Sequence, residues 1–140
     1  MVHVRVATPL RPTEDEAKVR QAILAIWPDA EVEKEGDTVF GTSSDLLPFR
    51  KRVWELRIID AVRGKMLHGL APDARSLAIR LSKQAALAGK VSFPPTPHAL
   101  GDLEVTFTVE EGDPWPDAEK MAWWLAPETK DGEIVGPVEP

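Results

Sequence analysis

Residues Leu103, Val105, Phe107 and Val109 alternate with Glu104, Thr106, Thr108 and Glu110. Successive side chains of a strand point to opposite faces, so this segment sets an apolar face on a core and a polar face in water. Sheets covered on one side only are typically antiparallel. Val2, Val4 and Val6, alternating with His3 and Arg5, carry the same period at the start of the chain, and Pro9 and Pro12 stop it.

Between these strands the period changes to that of helices. Thr13 and Glu16 have the spacing of a capping box, and Val19, Ile23, Ile26 and Trp27 form one apolar stripe that Pro28 ends. Glu14, Asp15 and Glu16 read as first-turn carboxylates facing the helix dipole, not as a catalytic pair. Gly36-Asp37, between short apolar segments at Val32 and at Val39-Phe40, predicts a β-hairpin. Ser43, Ser44 and Asp45 offer caps and Pro48 a first turn, so one long helix is expected to about His68, with Gly64 as its weak point. On it Phe49, Val53, Leu56 and Leu67 share one side and Trp54, Ile58, Ala61 and Val62 another, which implies two packing partners, a sheet and either a helix or a second subunit.

Leu77, Ile79 and Leu81 alternate again, followed by an Ala-rich turn from Lys83 to Ala88, a strand at Val91–Phe93 and a stiff loop at Pro94, Pro95 and Pro97. The strand at 103–109 and a helix from about Asp117 to Leu125 complete the order. The core sequence β-α-β-β-α-β is the split βαβ arrangement. It predicts a single α+β domain over residues 1–126, mostly antiparallel sheet with helices packed on one face, plus additional strands and a C-terminal helix. Polar residues 127–140 are expected to form a surface or disordered tail.

A chain of 140 residues with 43% apolar side chains can bury roughly 70% of its unfolded surface without metals or crosslinks. The absence of cysteine removes thiol catalysis, iron–sulfur ligation and cysteine-type zinc sites, and fits a reducing compartment. No apolar run approaches the length of a membrane span, so a cytoplasmic protein with no membrane partner is expected. The net charge of −6 is unevenly spread. From Arg50 to Lys90 ten basic residues face three acidic ones, a net +7, and the rest of the chain carries −13. A basic region can hold phosphates on an acidic protein because charges act over a Debye length of roughly 8–10 Å.

No cofactor or metal is expected. His3, His68 and His98 lack metal-ligand spacing. Gly89-Lys90 resembles a phosphate loop, but Gln84 stands where its first glycine belongs and Val91 where a magnesium-holding hydroxyl belongs. Glu110, Glu111 and Asp113 read as a solvated turn. Trp27, Trp54 and Trp124 occupy apolar helix positions, which leaves Trp115 and Trp123 as candidates for an exposed surface. Arg57, Asp60 and Arg63 are spaced for an ion-pair triad.

The segments TEDEAKVRQAILAIWPDAE, LRIIDAVRGKMLHG and LSKQAALAGKVSF, followed by an acidic strand and WLAPET, resemble a family of small archaeal proteins of uncharacterised function labelled as predicted RNA-binding domains. The match runs from about residue 2 to residue 133, with Lys83 to Phe93 its most specific part. The resemblance implies an α+β fold like that of ribosomal protein L-five and carries over Arg57, Asp60, Arg63, Lys83, Gln84, Ala85, Gly89, Lys90 and Ser92. Leu56, Ile79, Arg80 and Ser82 depart from the family pattern, and the loss of an aromatic pair at 79 and 80 shifts weight from base stacking to phosphate and ribose contacts.

Charge and resemblance together predict a non-catalytic module that binds structured RNA through a basic helix and a Lys/Gly loop. The residues expected to contact RNA are Arg50, Lys51, Arg57, Arg63, Lys65, Arg80, Lys83, Gln84, Gly89 and Lys90. Two alternatives stand beside it: a homodimeric scaffold using the second apolar helix face, and a small enzyme on a phosphorylated substrate, which a pocket lined by Asp60, Arg63 and Lys83 would favour.

Overall fold

The computed structural model of the chain describes residues 2–94 and 101–130 and the backbone of 133–134. Its elements are β1 (His3–Pro9), α1 (Glu16–Ile26), β2 (Glu31–Glu35), β3 (Thr38–Ser43), α2 (Leu47–Glu55), α3 (Ile59–His68), β4 (Ser76–Leu81), α4 (Lys83–Leu87), β5 (Leu103–Thr108), α5 (Ala118–Leu125), β6 (Thr129–Lys130) and β7 (Glu133–Ile134). The main sheet has the order β2-β3-β1-β5-β4 with every ladder antiparallel. β1 and β2 are therefore parallel with β3 between them, which is the split βαβ unit. The architecture is a single α+β domain.

Alternation fixes which face of the sheet is covered. Val4, Val6, Val39, Leu77, Ile79, Leu81, Leu103, Val105 and Phe107 are buried beneath the helices. Arg5, Ala78, Glu104 and Thr106 lie exposed on the opposite face. Trp27 stacks on Phe49 at 5.3 Å, and Phe49 meets Phe107 at 5.7 Å, so one aromatic column joins α1, α2 and β5. The hairpin forms as predicted, with Glu35 opposite Thr38 and Gly36 at φ 59° in the turn.

Helix α1 starts later than a capping box at Thr13 requires. Asp15 is the N-cap, its carboxylate accepting from the Ala17 amide, while Glu14 accepts from the Arg11 amide and turns inward. Residues 91–93 are not a strand; one hydrogen bond, from the Ser82 amide to the Ser92 carbonyl, ties them to the end of β4. Pro95, Pro97 and His98 lie outside the described residues.

The predicted long helix is broken, seven residues before Gly64. Arg57 takes φ 56° between α2 and α3, a left-handed conformation that costs a non-glycine residue roughly 1–2 kcal/mol. Continued straight, the stripe of Phe49 and Val53 would pass through Asp60 and Arg63. The break turns α3 so that Ile59, Val62 and Met66 enter the core instead, and burying those three side chains, at about 1.5–3 kcal/mol each, outweighs the strained residue.

The second side of α2 is covered from within the chain. Trp54 Nε1 donates to the Leu125 carbonyl of α5 at 2.9 Å, so this face does not call for a second subunit. Trp115 is likewise not on the surface: it is 8% exposed and packs at 4.9 Å against Trp124. Trp123 is 38% exposed, with the Arg63 guanidinium 4.8 Å above its ring. Beyond α5, residues 127–130 run along α3, where the Pro127 carbonyl accepts from Arg63 and Thr129 donates to Asp60. The tail residues 135–140 lie outside the described residues. No helix among the described residues is long and apolar enough to cross a membrane.

Candidate functional site

The basic residues of the 50–90 region separate into those that serve the fold and those that face solvent. Arg50, Trp54 and Arg63 together cap the last turn of α5, whose final carbonyls have no partners within the helix. Arg50 Nε donates to Trp124, Trp54 Nε1 to Leu125, and Arg63 Nη1 to Ala126 and Pro127, at 2.7–3.2 Å. The Arg50 guanidinium also lies between two indoles, 4.3 Å from the Trp54 ring and 4.1 Å from that of Trp124. Arg75 donates to the Val109 and Pro116 carbonyls and pins the turn after β5.

Lys83, placed by the sequence in a phosphate-binding loop, points into the protein. Its ammonium donates to the Pro9 carbonyl at 2.8 Å and to both Glu14 oxygens at 3.0 and 3.1 Å, and the two side chains are only 8% and 9% exposed. This pair sits in a cleft of about 300 Å³ between α1 and α4 that Gln84 and Leu87 also line, and Arg63 and Asp60 are not part of it. Of the three residues proposed for an enzyme pocket, Lys83 thus stays apart from the other two.

Asp60 is 64% exposed and bonds to Arg63 at 2.8 Å; Arg57 does not join the pair. The hydrogen bond from Thr129, then that from Arg63, holds the Asp60 carboxyl below its usual range. Glu16 is lowered in the same way, chiefly by the hydrogen bond from Arg20. Glu110 and Asp113 close a tight turn, the Glu110 amide donating to Asp113 and the Asp113 amide to the Glu110 carbonyl. Among the described residues no three histidines or carboxylates gather into a metal site.

The remaining cations, exposed or half-exposed, are arranged along residues 89–93. Gly89 ends α4 with φ 75°, and the Gly89 and Lys90 amides return to the Ala86 and Ala85 carbonyls, a glycine helix stop. A Cβ on Gly89 would stand 3.9 Å from the Arg52 guanidinium, so α2 borders this turn. Lys90 is exposed. At the other end Lys65 lies 6.0 Å over the Phe93 ring, and Arg80 donates to the Pro94 carbonyl while its Nε lies 3.4 Å from buried Asp102. Arg52, Lys90, Lys65 and Arg80 therefore follow one short stretch of chain, with Lys51 on the next helical position of α2. Arg52 was not singled out from the sequence, because only the packing of α2 beside α4 brings it to Gly89. Arg57 is exposed at the helix break.

Beside Arg52 a groove of about 740 Å³ runs between the C-terminal end of α1 and one side of α2. Ile26, Pro28, Leu47, Pro48 and Trp54 supply its apolar lining, and Arg50, Lys51 and Arg52 its cations. Glu55 faces Lys51 at 3.9 Å and Arg52 at 3.7 Å.

An antiparallel α+β domain with this split connectivity and a basic margin defines the class of protein. A family model described as RNA binding matches residues 3–109. A UPF0200/UPF0201 protein of Archaeoglobus fulgidus is 34% identical over 99% of this chain, which spans 41% of that relative's length. A UPF0201 protein of Methanothermobacter thermautotrophicus is 36% identical, with 96% of this chain and 98% of the relative covered. The crystal structure of a UPF0201 protein from Methanococcus jannaschii superposes with a TM-score of 0.83 at 29% identity, covering 96% of this chain and 99% of that one. A second UPF0201 crystal structure gives 0.80 at 34% identity, with 95% and 99% covered. The chain belongs to the archaeal UPF0201 family.

Proposed function

We propose that this chain is a non-catalytic module that binds structured RNA by its phosphates, along the strip formed by Lys51, Arg52, Lys65, Arg80 and the Gly89-Lys90 turn. The observation that carries the reading is the approach of Arg52 to Gly89 at one end of residues 89–93 and of Lys65 to Phe93 at the other. It joins cations from two helices and a strand into one margin. The assignment of Arg50, Arg63 and Lys83 to RNA contact gives way to their structural bonds, and Gln84, in the α1–α4 cleft, lies outside the strip.

Each phosphate neutralised releases condensed counterions, so log affinity for an A-form duplex falls linearly with log salt, by roughly 0.9 per contact on the double-helical scale. Replacing Lys51 and Lys90 together with alanine is expected to flatten that slope by about 1.5–2. An unchanged slope puts the interface elsewhere, and no binding of structured RNA at low salt rejects the reading.

The homodimer reading now rests on a different surface. The open face of the sheet presents half-buried Phe40 of β3 beneath the Arg5 guanidinium at 4.6 Å, with Thr106 exposed on β5 and Ala78 on β4. Sedimentation equilibrium of the wild type and of Phe40→Glu tests it; a monomer at all concentrations removes it.

A further inference from the structure

The groove between α1 and α2 joins two chemistries that no single-purpose surface needs. Its walls are apolar, and Leu47 at its edge is 58% exposed. Its rim is cationic, with Lys51 and Arg52 side chains 79% and 40% exposed. The two lining acids, Asp45 and Glu55, offset part of the charge of Arg50, Lys51 and Arg52 and leave an excess of one cation. Asp45 is engaged as a local cap, accepting from the Leu47 amide at 3.0 Å. Glu55 makes only the long pairs already described, and exposed pairs of that kind are weak enough for an incoming phosphate to replace. A ligand that fits therefore has a weakly polar body and an attached anion.

We infer that this groove receives one unpaired nucleotide of the RNA, its base against Leu47, Pro28 and Pro48 and its phosphate on Lys51 and Arg52. The inference rests on the RNA-binding reading and deepens it, since a paired base must give up roughly a few kcal/mol of pairing and stacking to enter a groove, while an unpaired one is spared most of that cost. A volume of about 740 Å³ lies in the range of small-molecule sites of roughly 300–1,000 Å³ and is suited to a nucleotide or two. Sequence-specific RNA recognition works through such splayed bases because the A-form major groove is too narrow to read. An acidic peptide would also satisfy the rim, but the rim is continuous with the Arg52–Gly89–Lys90 margin, which follows a phosphate chain past the groove.

The test compares a fully paired RNA duplex with the same duplex carrying a one-nucleotide bulge, with 2-aminopurine at the bulge. The bulged form is expected to bind at least about tenfold tighter, a difference of roughly 1.4 kcal/mol, with a change in 2-aminopurine emission. Leu47→Ser trims the wall without altering charge, and at an exposed position it leaves the melting temperature unchanged. It is expected to abolish the bulge preference while keeping duplex affinity and its salt slope. Equal affinity for both RNAs, or a preference that survives Leu47→Ser, overturns the inference and leaves phosphate binding standing. An acidic peptide that binds more tightly than bulged RNA and is lost in Leu47→Ser also overturns it, giving the groove to a protein partner. Failure to bind either duplex at low salt refutes the underlying RNA reading instead.

Discussion

Replacing Lys83 with methionine separates a structural lysine from a phosphate contact. Methionine keeps most of the stem volume and removes only the ammonium. At 3.0 Å and an effective dielectric constant of about 20, the attraction between Lys83 and Glu14 is roughly 5.5 kcal/mol. Desolvating two ions costs several kcal/mol each, so the intact pair contributes little net stability. Removing one partner is a different matter. Glu14 is left with a charge in a site where its side chain is only 9% exposed, and the Pro9 carbonyl loses its donor. The expected loss is about 3–5 kcal/mol, roughly a fifth or more of the total stability of a typical small domain at roughly 5–15 kcal/mol. Urea denaturation measures it, with an unchanged m-value showing that the two-state reference is intact. Adding Glu14→Gln should restore much of the loss, giving a coupling of about 2 kcal/mol or more in a double-mutant cycle. A Lys83→Met loss below about 1 kcal/mol with negligible coupling refutes the argument. If RNA affinity fell at the same time, Lys83 would belong in the interface after all.

Arg57→Gly should be neutral or stabilising by up to about 1 kcal/mol, because glycine relieves the positive φ; in an unbroken helix it would cost about 1 kcal/mol, so the sign of the change in thermal denaturation tests the break. Arg63→Ala removes the donor to the Ala126 and Pro127 carbonyls and should cost about 1.5–3 kcal/mol, with earlier proteolytic cleavage after α5 and an altered Trp123 signal in near-UV circular dichroism. The lowered Asp60 pKa means that the folded state binds this proton less readily than the unfolded chain. Its contribution is therefore full above the ordinary carboxylate value near 4 and is lost as pH falls through the depressed value. The protection factor of the Thr129 amide, referred to the intrinsic exchange rate at each pH, is expected to fall over that acidic window in the wild type and to stay level there in Asp60→Asn.

Local pattern was enough for the elements whose stabilisation is local or periodic. The alternation at 103–108 and at 2–6 placed β5 and β1, Gly36 placed the hairpin, and the stripe from Val19 to Ile26 placed α1, because period and turn chemistry act within a few residues. The antiparallel α+β class followed from the order of those elements. The break at Arg57 was not legible: no glycine or proline marks it, and its cause is the need to bring Ile59, Val62 and Met66, rather than Asp60 and Arg63, onto a sheet formed elsewhere in the chain.

The candidate site divides in the same way. Composition located a basic region between Arg50 and Lys90, and the Gly89-Lys90 pair stood out within it. Which cations remain in solvent was decided by tertiary structure. Arg50 and Arg63 end on carbonyls of residues 124 to 127, and Lys83 on Pro9 and Glu14, partners more than sixty positions away in the chain. Arg52 gains its place beside Gly89 from the packing of two helices. A side chain's charge is written in the sequence, but a buried charge persists only where distant acceptors converge on it, and that convergence exists only once the chain has folded.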